Sequence, residues 1–554
     1  VAEQHRLFEE PVALTELNAD PGTDHGEVFT RRWVVEMILD LVGYVADGDL
    51  TRRTIVEPSC GTGAFLVPIV ERLLAAAGRS RVEIGDLTEA IQAFDLLESN
   101  ASLARKNVVA TLLAADVSED DAWCLAERWI RTGDFLLHAH EGGTADHVVG
   151  NPPYVRLENV PAATSDEYRR RWTTMRGRSD IYVGFIECGL QLLRSGGTLG
   201  FICADRWMRN QYGAGLRELV TRSYAVDTIV SMHDVDAFED DVSAYPAVVV
   251  LRNGTACRTA VIDAEASFGP TDATAATTWV AGRSRRRSTR TFSGSKLDTW
   301  FEGRDLWPTG SPDDLSLLAD LESRFPPLQD PATGTRVGIG VATGCDEVFI
   351  TEDPDVVESD RLLPLLKASD TRQGSAEWSG SYLVNPWDEA GLVDLDEHPR
   401  LDGYLHAHAA RLRGRHVAET KPNQWYRTID RVDPTLTSRP KLLLPDIKAS
   451  AHPVLDSGVV YPHHNLYYVV SDEWDLGVLG GLLLSDIANL FVGAYCVKMR
   501  GGAYRFQAQY LRRIRVPEVS TMDTGTARRL SASFADRDRA AATLAAREAY
   551  GLAG

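Results

Sequence analysis

The chain has 554 residues, with 79 acidic and 58 basic side chains and a net charge of −21. That length calls for at least two domains. Seven cysteines, with no Cys-x-x-Cys pair among them, fit a reducing cytoplasm and speak against a disulfide-built secreted fold. The acidic balance argues against nucleic-acid binding by the molecule as a whole, although a local basic surface is enough to hold phosphates.

Residues 1–11 are polar and charged, so no signal peptide is expected there. Residues 34–41 have the spacing of an amphipathic helix. Thr54-Ile55-Val56-Glu57 reads as a strand, Pro58-Ser59-Cys60-Gly61-Thr62-Gly63 as a glycine turn, and Ala64-Phe65-Leu66 as the start of an apolar helix running to about residue 77. Gly61 and Gly63 let the backbone approach a ligand closely. Glu57 stands at a strand end, where doubly wound sheets bind ligands. Residues 91–95 are an apolar run ending in Asp95. Residues 96–115 and 118–131 read as helices, the second capped by Ser118, which puts Asp116 in the turn between them. Asp134, in Gly133-Asp134-Phe135-Leu136-Leu137, is expected to end a short strand.

The most informative stretch is Asp146-His147-Val148-Val149-Gly150-Asn151-Pro152-Pro153-Tyr154. Its apolar run reads as a buried strand that the two prolines stop. Proline fixes its own φ and keeps the residue before it extended, so the backbone at Asn151 and Pro152 is stiff. The Asn151 side-chain oxygen and the Pro152 carbonyl are then two acceptors aimed at one point, with the flat face of Tyr154 beside them. A planar amino group needs such a clamp to become a nucleophile.

Beyond the clamp, residues 179–193 read as a helix, 196–202 as a turn and strand, 206–220 as a helix, and 228–230 and 247–251 as strands. Five arginines fall within residues 283–290, most simply a solvated loop and alternatively a linker laid along phosphates. Gly338 to Gly344 leads into a strand expected at 347–350. Arg411, Arg413, Arg415, Lys421, Trp425 and Arg427 form a polar-aromatic stretch, and Lys498, Arg500, Tyr504 and Arg505 interleave charge and aromatics around two glycines. The longest apolar run, 476–497, contains Asp486 and Asn489 and reads as a buried helix pair, not a membrane span. His463-His464 and the scattered cysteines lack metal-ligand spacing.

Taken in this order, the motifs resemble those of the amino-type DNA methyltransferases that make N6-methyladenine, in the arrangement of TaqI-like enzymes. Glu57-Pro58-x-x-Gly61-x-Gly63-x-Phe65 is similar to their S-adenosylmethionine loop, with Ser59 inside it, and Asn151-Pro152-Pro153-Tyr154 to their catalytic tetrapeptide. Gly26-Glu27-Val28-Phe29-Thr30 resembles the segment that closes over the methionine end of the cofactor. The family often has Thr-Pro where this chain has Thr30-Arg31. The resemblance implies that Asp95 binds the ribose hydroxyls. It implies that Asp134 contacts the cofactor's adenine amine, with Asp116 as the alternative, and that Phe135 packs on that adenine. Phe238, or alternatively Tyr245, would face Tyr154 across a flipped base. The implied fold is α/β, a Rossmann-like methyltransferase domain at 20–255 joined by a connecting region at 256–330 to a mixed α+β target-recognition domain at 331–517, with a helical tail at 518–554.

The implied activity is site-specific methylation of adenine N6 in double-stranded DNA by base flipping, without a metal. The basic residues Arg286, Arg427, Lys498, Arg500 and Arg505, with Tyr504, are the expected DNA contacts. The expected form is a cytoplasmic monomer without nuclease activity, since few residues precede the cofactor-closing segment; a separate restriction nuclease would be its partner. Competing readings are cytosine N4, RNA or a protein glutamine as substrate, or a non-catalytic DNA-binding subunit. Roughly 300 residues after Leu251 favour a DNA-recognising enzyme, and the motif order favours adenine.

Overall fold

The structure is a computed structural model that describes residues 28–239, 245–255, 258–498 and 503–552. Gly26, Glu27 and Arg500 lie outside the described residues. The chain divides into two compact units at Ser316 and Leu317.

The first unit is built on a ten-stranded mixed sheet, ordered β3-β2-β1-β4-β5-β7-β6-β8-β10-β9. Helix α1 (Arg32–Val42) buries Val34, Val35, Met37, Ile38, Leu39, Leu41 and Val42. It stops at Gly43, whose left-handed φ of 82° returns its N–H to the last carbonyls. Strand β1 (Ile55–Glu57) is wholly buried, as an interior strand of a parallel sheet should be. Helix α2 (Leu66–Ser80), β2 (Ile91–Asp95), α3 (Glu98–Ala114), α4 (Glu119–Trp129) and β3 (Ile130–Thr132) follow. Asp116 takes φ +62° between α3 and α4, and the Ser118 hydroxyl caps α4 by accepting from the Asp121 N–H at 3.2 Å.

The chain then returns to the other side of β1 as β4 (Ala145–Gly150). Strands β1, β2 and β3 succeed one another outward on one side and β4 lies on the other side of β1, parallel to it, so β1 and β4 flank the topological switch, the crevice where open α/β sheets bind ligands. Helix α5 (Ala162–Arg171) and α6 (Tyr182–Leu192) lead to β5 (Leu193–Ala204). On β5, Gly200 has no side chain because α1 presses on it: a Cβ there would stand 2.3 Å from Val42 Cγ1.

Residues 206–220 do not form the single helix expected from their pattern. Arg206–Arg209 is one turn, and α7 (Ala214–Ser223) starts afresh. The reason is Arg217, fully buried, whose guanidinium takes the Trp207 and Asn210 carbonyls that a continuous helix would have used. Strands β6 (Ala225–Ser231) and β7 (Pro246–Arg252) close the hairpin beside β5.

The stretch expected to connect two domains instead extends this sheet. Strand β8 (Thr259–Ala264) runs parallel to β6, helix α8 (Pro270–Ala281) follows, and β9 (Arg286–Ser288) and β10 (Phe292–Leu297) complete the edge. Val261, Ile262 and Phe292 are buried and carry the core outward. Only residues 286–288 of the arginine run form a strand, β9, and the rest of the run is loop: all three residues of β9 are exposed, and charge on a sheet edge blocks pairing with other chains.

Helix α9 (Pro312–Arg324) spans the boundary, and the second unit then holds two four-stranded sheets, ordered β11-β19-β15-β17 and β12-β14-β13-β18, and a three-stranded sheet, β16-β21-β20. The first contains β11 (Arg336–Ile339), β15 (Lys441–Pro445), β17 (Val454–Asp456) and β19 (Leu466–Val470). The second contains β12 (Ile350–Thr351), β13 (Leu362–Leu366), β14 (Tyr382–Val384) and β18 (Tyr461–Pro462). The third contains β16 (Ile447–Lys448), β20 (Val497–Lys498) and β21 (Tyr504–Arg505). The strand expected at 347–350 is mostly one helical turn, Asp346–Phe349. Val348 and Phe349 are adjacent and both fully buried, which an alternating half-buried strand does not permit.

Helices α10 (Leu476–Leu484) and α11 (Asp486–Tyr495) form the buried pair, bent by 61° at Ser485. Among the described residues no single helix is long and apolar enough to cross a membrane. The tail is two helices, α12 (Thr524–Ala535) and α13 (Arg539–Ala549), separated where Arg537 takes φ +59°. Gly480 and Gly481 on α10 let Phe534 and Leu530 of α12 approach closely.

Candidate active site

Glu57 and Gly150 end neighbouring strands β1 and β4, so the two motif loops begin side by side. Gly61 and Gly63 have φ of 52° and 99°, left-handed values that other residues rarely adopt. The glycine loop is held from β2: the Cys60 N–H donates to the Phe94 carbonyl at 2.8 Å, and the Gly61 N–H to Asp95 Oδ2 at 2.8 Å. Asp95 Oδ1 accepts from the Leu97 N–H at 2.9 Å and Asn100 Nδ2 at 3.3 Å. Asp95, expected to bind a ribose, thus supports the loop in this structure. The Ser59 hydroxyl donates to the Asn151 carbonyl at 3.1 Å and ties the loop to the clamp. Pro58 stands beside Gly150, and Phe65 is buried in the core below α2.

Glu57 is fully buried, and its Oε2 has no hydrogen-bond partner among the described residues. Burial first, and the charge of Asp95 second, push its carboxyl well above the usual range. The crevice therefore holds a buried carboxyl oxygen that a polar ligand would complete.

Asn151 donates from Nδ2 to the Val28 carbonyl at 2.8 Å and to Thr30 Oγ1 at 3.2 Å. These contacts fix which way the amide faces. Its Oδ1 is buried with no partner among the described residues. Thr30 is buried and bridges antiparallel to Phe238, with the Arg31 N–H donating to the Ala237 carbonyl at 3.0 Å. Arg31 has φ −60°, close to the value proline imposes, so the turn is kept; unlike proline, it supplies an N–H to this bridge.

Pro152 is buried, with Pro153 and Tyr154 following it at the crevice. The Tyr154 hydroxyl is buried without a partner among the described residues, and burial pushes its pKa far up, so it remains protonated. The Phe238 ring lies 6.4 Å from that of Tyr154 at 85°, and Tyr182 lies 6.4 Å away at 55°. Tyr245 instead packs against His233, at 5.3 Å.

Asp134 lies two residues beyond β3. Its Oδ1 accepts from the Leu136 N–H at 2.9 Å and its Oδ2 from the Tyr168 hydroxyl at 2.5 Å. Asp116 is exposed in the turn between α3 and α4. Phe135 is buried, stacked on Phe185 at 5.6 Å and edge-on to Phe94 at 5.4 Å. The His140 Nε2 contacts the Phe135 carbonyl at 2.7 Å, and burial lowers this histidine to about 4. Tyr168, His138 and His140 are neighbours that sequence reasoning missed. Tyr168 lies 34 residues from its partner, and no local pattern announces it.

The expected DNA contacts fare differently. Arg286 is exposed on β9, 3.3 Å from Asp313. Arg427 directs its donors to the Thr428 and Ile429 carbonyls and to Gln424, and its guanidinium lies over the Trp387 ring at 5.4 Å. The structure thus uses Arg427 within the fold. Tyr504 and Arg505 form β21, with Arg505 exposed, and Lys498 is the register partner of Tyr504 on β20.

A sequence profile of the Eco57I restriction-modification methylase family matches residues 87–238. The Type II methyltransferase M.PaeR7I of Pseudomonas aeruginosa is 45% identical over 98% of this chain and 94% of its own length. The Type II methyltransferase M.XhoI of Xanthomonas vasicola is 42% identical over 96% and 97%. In fold, the chain resembles the Type IIL restriction-modification enzyme MmeI, solved in complex with DNA, at a TM-score of 0.57 and 12% identity, covering 94% of this chain and 74% of that one. The large central sheet, the paired loops at its switch point and the near full-length identity agree: the chain belongs to the Type II methyltransferases of restriction-modification systems.

Proposed function

We propose that the chain transfers a methyl group from S-adenosylmethionine to the exocyclic N6 of adenine in double-stranded DNA, acting on a base turned out of the helix. The observation that carries this reading is the half-satisfied Asn151 amide. Its nitrogen is held by Val28 and Thr30, while its oxygen is buried and partnerless among the described residues.

An exocyclic amine is a poor nucleophile because its lone pair is delocalised into the ring. Asn151 Oδ1 and the Pro152 carbonyl accept its two N–H bonds and favour a geometry in which that lone pair is free. Preorganised acceptors of this kind need no rearrangement at the moment of reaction. Tyr154 stacks on the base, replacing stacking worth ~1–3 kcal/mol, and Phe238 bounds it from the other side. Base extrusion is required because the amine is out of reach inside a duplex.

The crevice residues fit S-adenosylmethionine. The Gly61–Gly63 turn opens the backbone, Glu57 offers a buried carboxyl oxygen with no partner among the described residues, and Thr30 holds the Asn151 amide. When bound, that cofactor supplies an electrophilic methyl group. Asp95 keeps the glycine loop in place, Asp134 offers a carboxylate to the cofactor's adenine amine, and Phe135 supports the adenine side of the crevice.

The second unit is assigned to target recognition, with Lys498, Arg500, Tyr504 and Arg505 as contacts, and Arg286 of the first unit as a phosphate contact. The reading describes a monomer of the bacterial cytoplasm, with any restriction nuclease on a separate protein. The test is incubation with labelled S-adenosylmethionine and unmethylated DNA, followed by mass spectrometry of the bases. N6-methyladenine that disappears in Asn151→Ala supports the reading. N4-methylcytosine, or label only in RNA or protein, overturns the adenine assignment.

A further inference from the structure

We propose that Asp346, His463 and His464, in the second unit, form a binding site for a divalent transition metal of the zinc class. Adjacent histidines alone have no ligand spacing, but the fold adds a carboxylate from 117 residues away. One ligand atom from each of the three residues lies within 4.8 Å of the others. Asp346 Oδ2 stands 3.2 Å from His463 Nε2, and the two imidazole rings are 4.0 Å apart.

Two features set this group apart from an accidental surface cluster. His463 is buried, and its Nε2 faces Asp346 Oδ2 directly. The site is also held in place by its surroundings. The Thr343 hydroxyl donates to Asp346 Oδ1 and leaves Oδ2 for a ligand, the orienting contact that metal-binding carboxylates commonly have. The Val341 N–H donates to the Pro462 carbonyl, and the His464 N–H to the Val341 carbonyl, each at 3.0 Å. Gly340 packs so closely that a Cβ there would stand 2.2 Å from the His463 carbonyl oxygen.

Two imidazoles and one carboxylate suit zinc and its neighbours, whereas calcium and magnesium favour all-oxygen sites. Asp346 and His464 are exposed, so a remaining coordination position faces solvent. A bound ion would clamp the one-turn helix at Asp346–Phe349 to the turn after β18.

The test uses the full chain without a histidine tag, stripped with a chelator and titrated with zinc chloride by calorimetry. Cobalt substitution supplies an absorption spectrum as a second readout. His464→Ala alters an exposed side chain and Asp346→Asn keeps its size; circular dichroism checks the fold of each. The expected result is one site per chain, with affinity falling about tenfold or more in each variant. Zinc should also raise the melting temperature of the wild type and not of the variants. No binding heat and no cobalt band, or equal affinity in both folded variants, overturns the proposal. Neither DNA nor S-adenosylmethionine enters the assay, so its failure is distinct from failure of the methyl-transfer reading.

Discussion

At the ends of β1 and β4, Glu57 Oε2, Asn151 Oδ1 and the Tyr154 hydroxyl are buried with no hydrogen-bond partner among the described residues. In the second unit, Arg415 and Arg427 turn their donors onto main-chain carbonyls of the same unit, and Lys441 lies buried against Asp456 at 2.5 Å. The contrast separates polar groups kept for a ligand from polar groups that hold the fold. Each unsatisfied buried group costs about 1–3 kcal/mol, so three gathered in one crevice mark a binding site more strongly than a run of arginines does. A guanidinium over an aromatic ring, as Arg413 lies over Trp425 at 4.4 Å, is complete without a partner molecule.

The sharpest way to break this contrast is Asn151→Ala. If the orphaned oxygen acts on the substrate, kcat for methyl transfer should fall by about 100- to 1000-fold, with the melting temperature nearly unchanged. A large loss of stability instead would make Asn151 a structural residue and place it with Arg427.

A buried acid beside the crevice gives the opposite case. Asp205 follows β5 and is held by Arg209, at 2.6 and 2.7 Å, and by His233 at 2.7 Å. Burial alone would raise its carboxyl, but these two partners outweigh that and hold it at about 2, below the ordinary 3.8. The folded value is depressed, so the stabilisation is fully present above about pH 4 and is lost as the pH falls toward 2; it amounts to about 2 kcal/mol. Asp205→Asn should lower unfolding stability by about that much at neutral pH, with the gap to wild type narrowing by about half at pH 3. Urea unfolding at both pH values checks this, and a gap independent of pH would remove Asp205 from the class of structural charges.

Thr30→Ala tests how the clamp is aimed. Thr30 Oγ1 is one of two acceptors on the Asn151 amide nitrogen, so its loss should cost about 1 kcal/mol, or about fivefold in kcat, with DNA affinity retained. An unchanged kcat would leave the Val28 carbonyl as the sole orienting contact.

The smallest effects distinguish two arginines. Arg427→Ala should reduce the melting temperature without altering the salt dependence of DNA binding. Arg286→Ala should leave stability unchanged and reduce the slope of log K against log salt by about one. The reverse pattern would make Arg427 the phosphate contact and Arg286 an edge guard only.

Much of the first unit was legible because its signals are local. The strand–glycine turn–helix at 54–77, the proline stop after Gly150 and the Ser118 cap each follow from short-range backbone rules. The pattern misled where burial and sheet pairing overrode the local signal. Buried Arg217 divides the expected helix at 206–220, and β8 to β10 join the large sheet where a connecting region was expected. His463-His464 has no ligand spacing in the sequence, because its third member arrives only through the pairing of the Val341 and Pro462 segments.

The sequence by itself determined which atoms the crevice contains: an acid at one strand end, two glycines beyond it, and an amide with two prolines at the next strand. These depend on φ, on side-chain size and on hydrogen-bonding capacity, all properties of neighbouring residues. Only the tertiary structure decided which of those atoms stay free. Asp95 is drawn into holding Gly61, Asp134 into a contact with Tyr168, and the nitrogen of Asn151 is drawn to Val28 and Thr30 while its oxygen is not. Satisfaction of a buried polar atom depends on every group that packs around it, and here those groups lie 34 to 123 residues away along the chain.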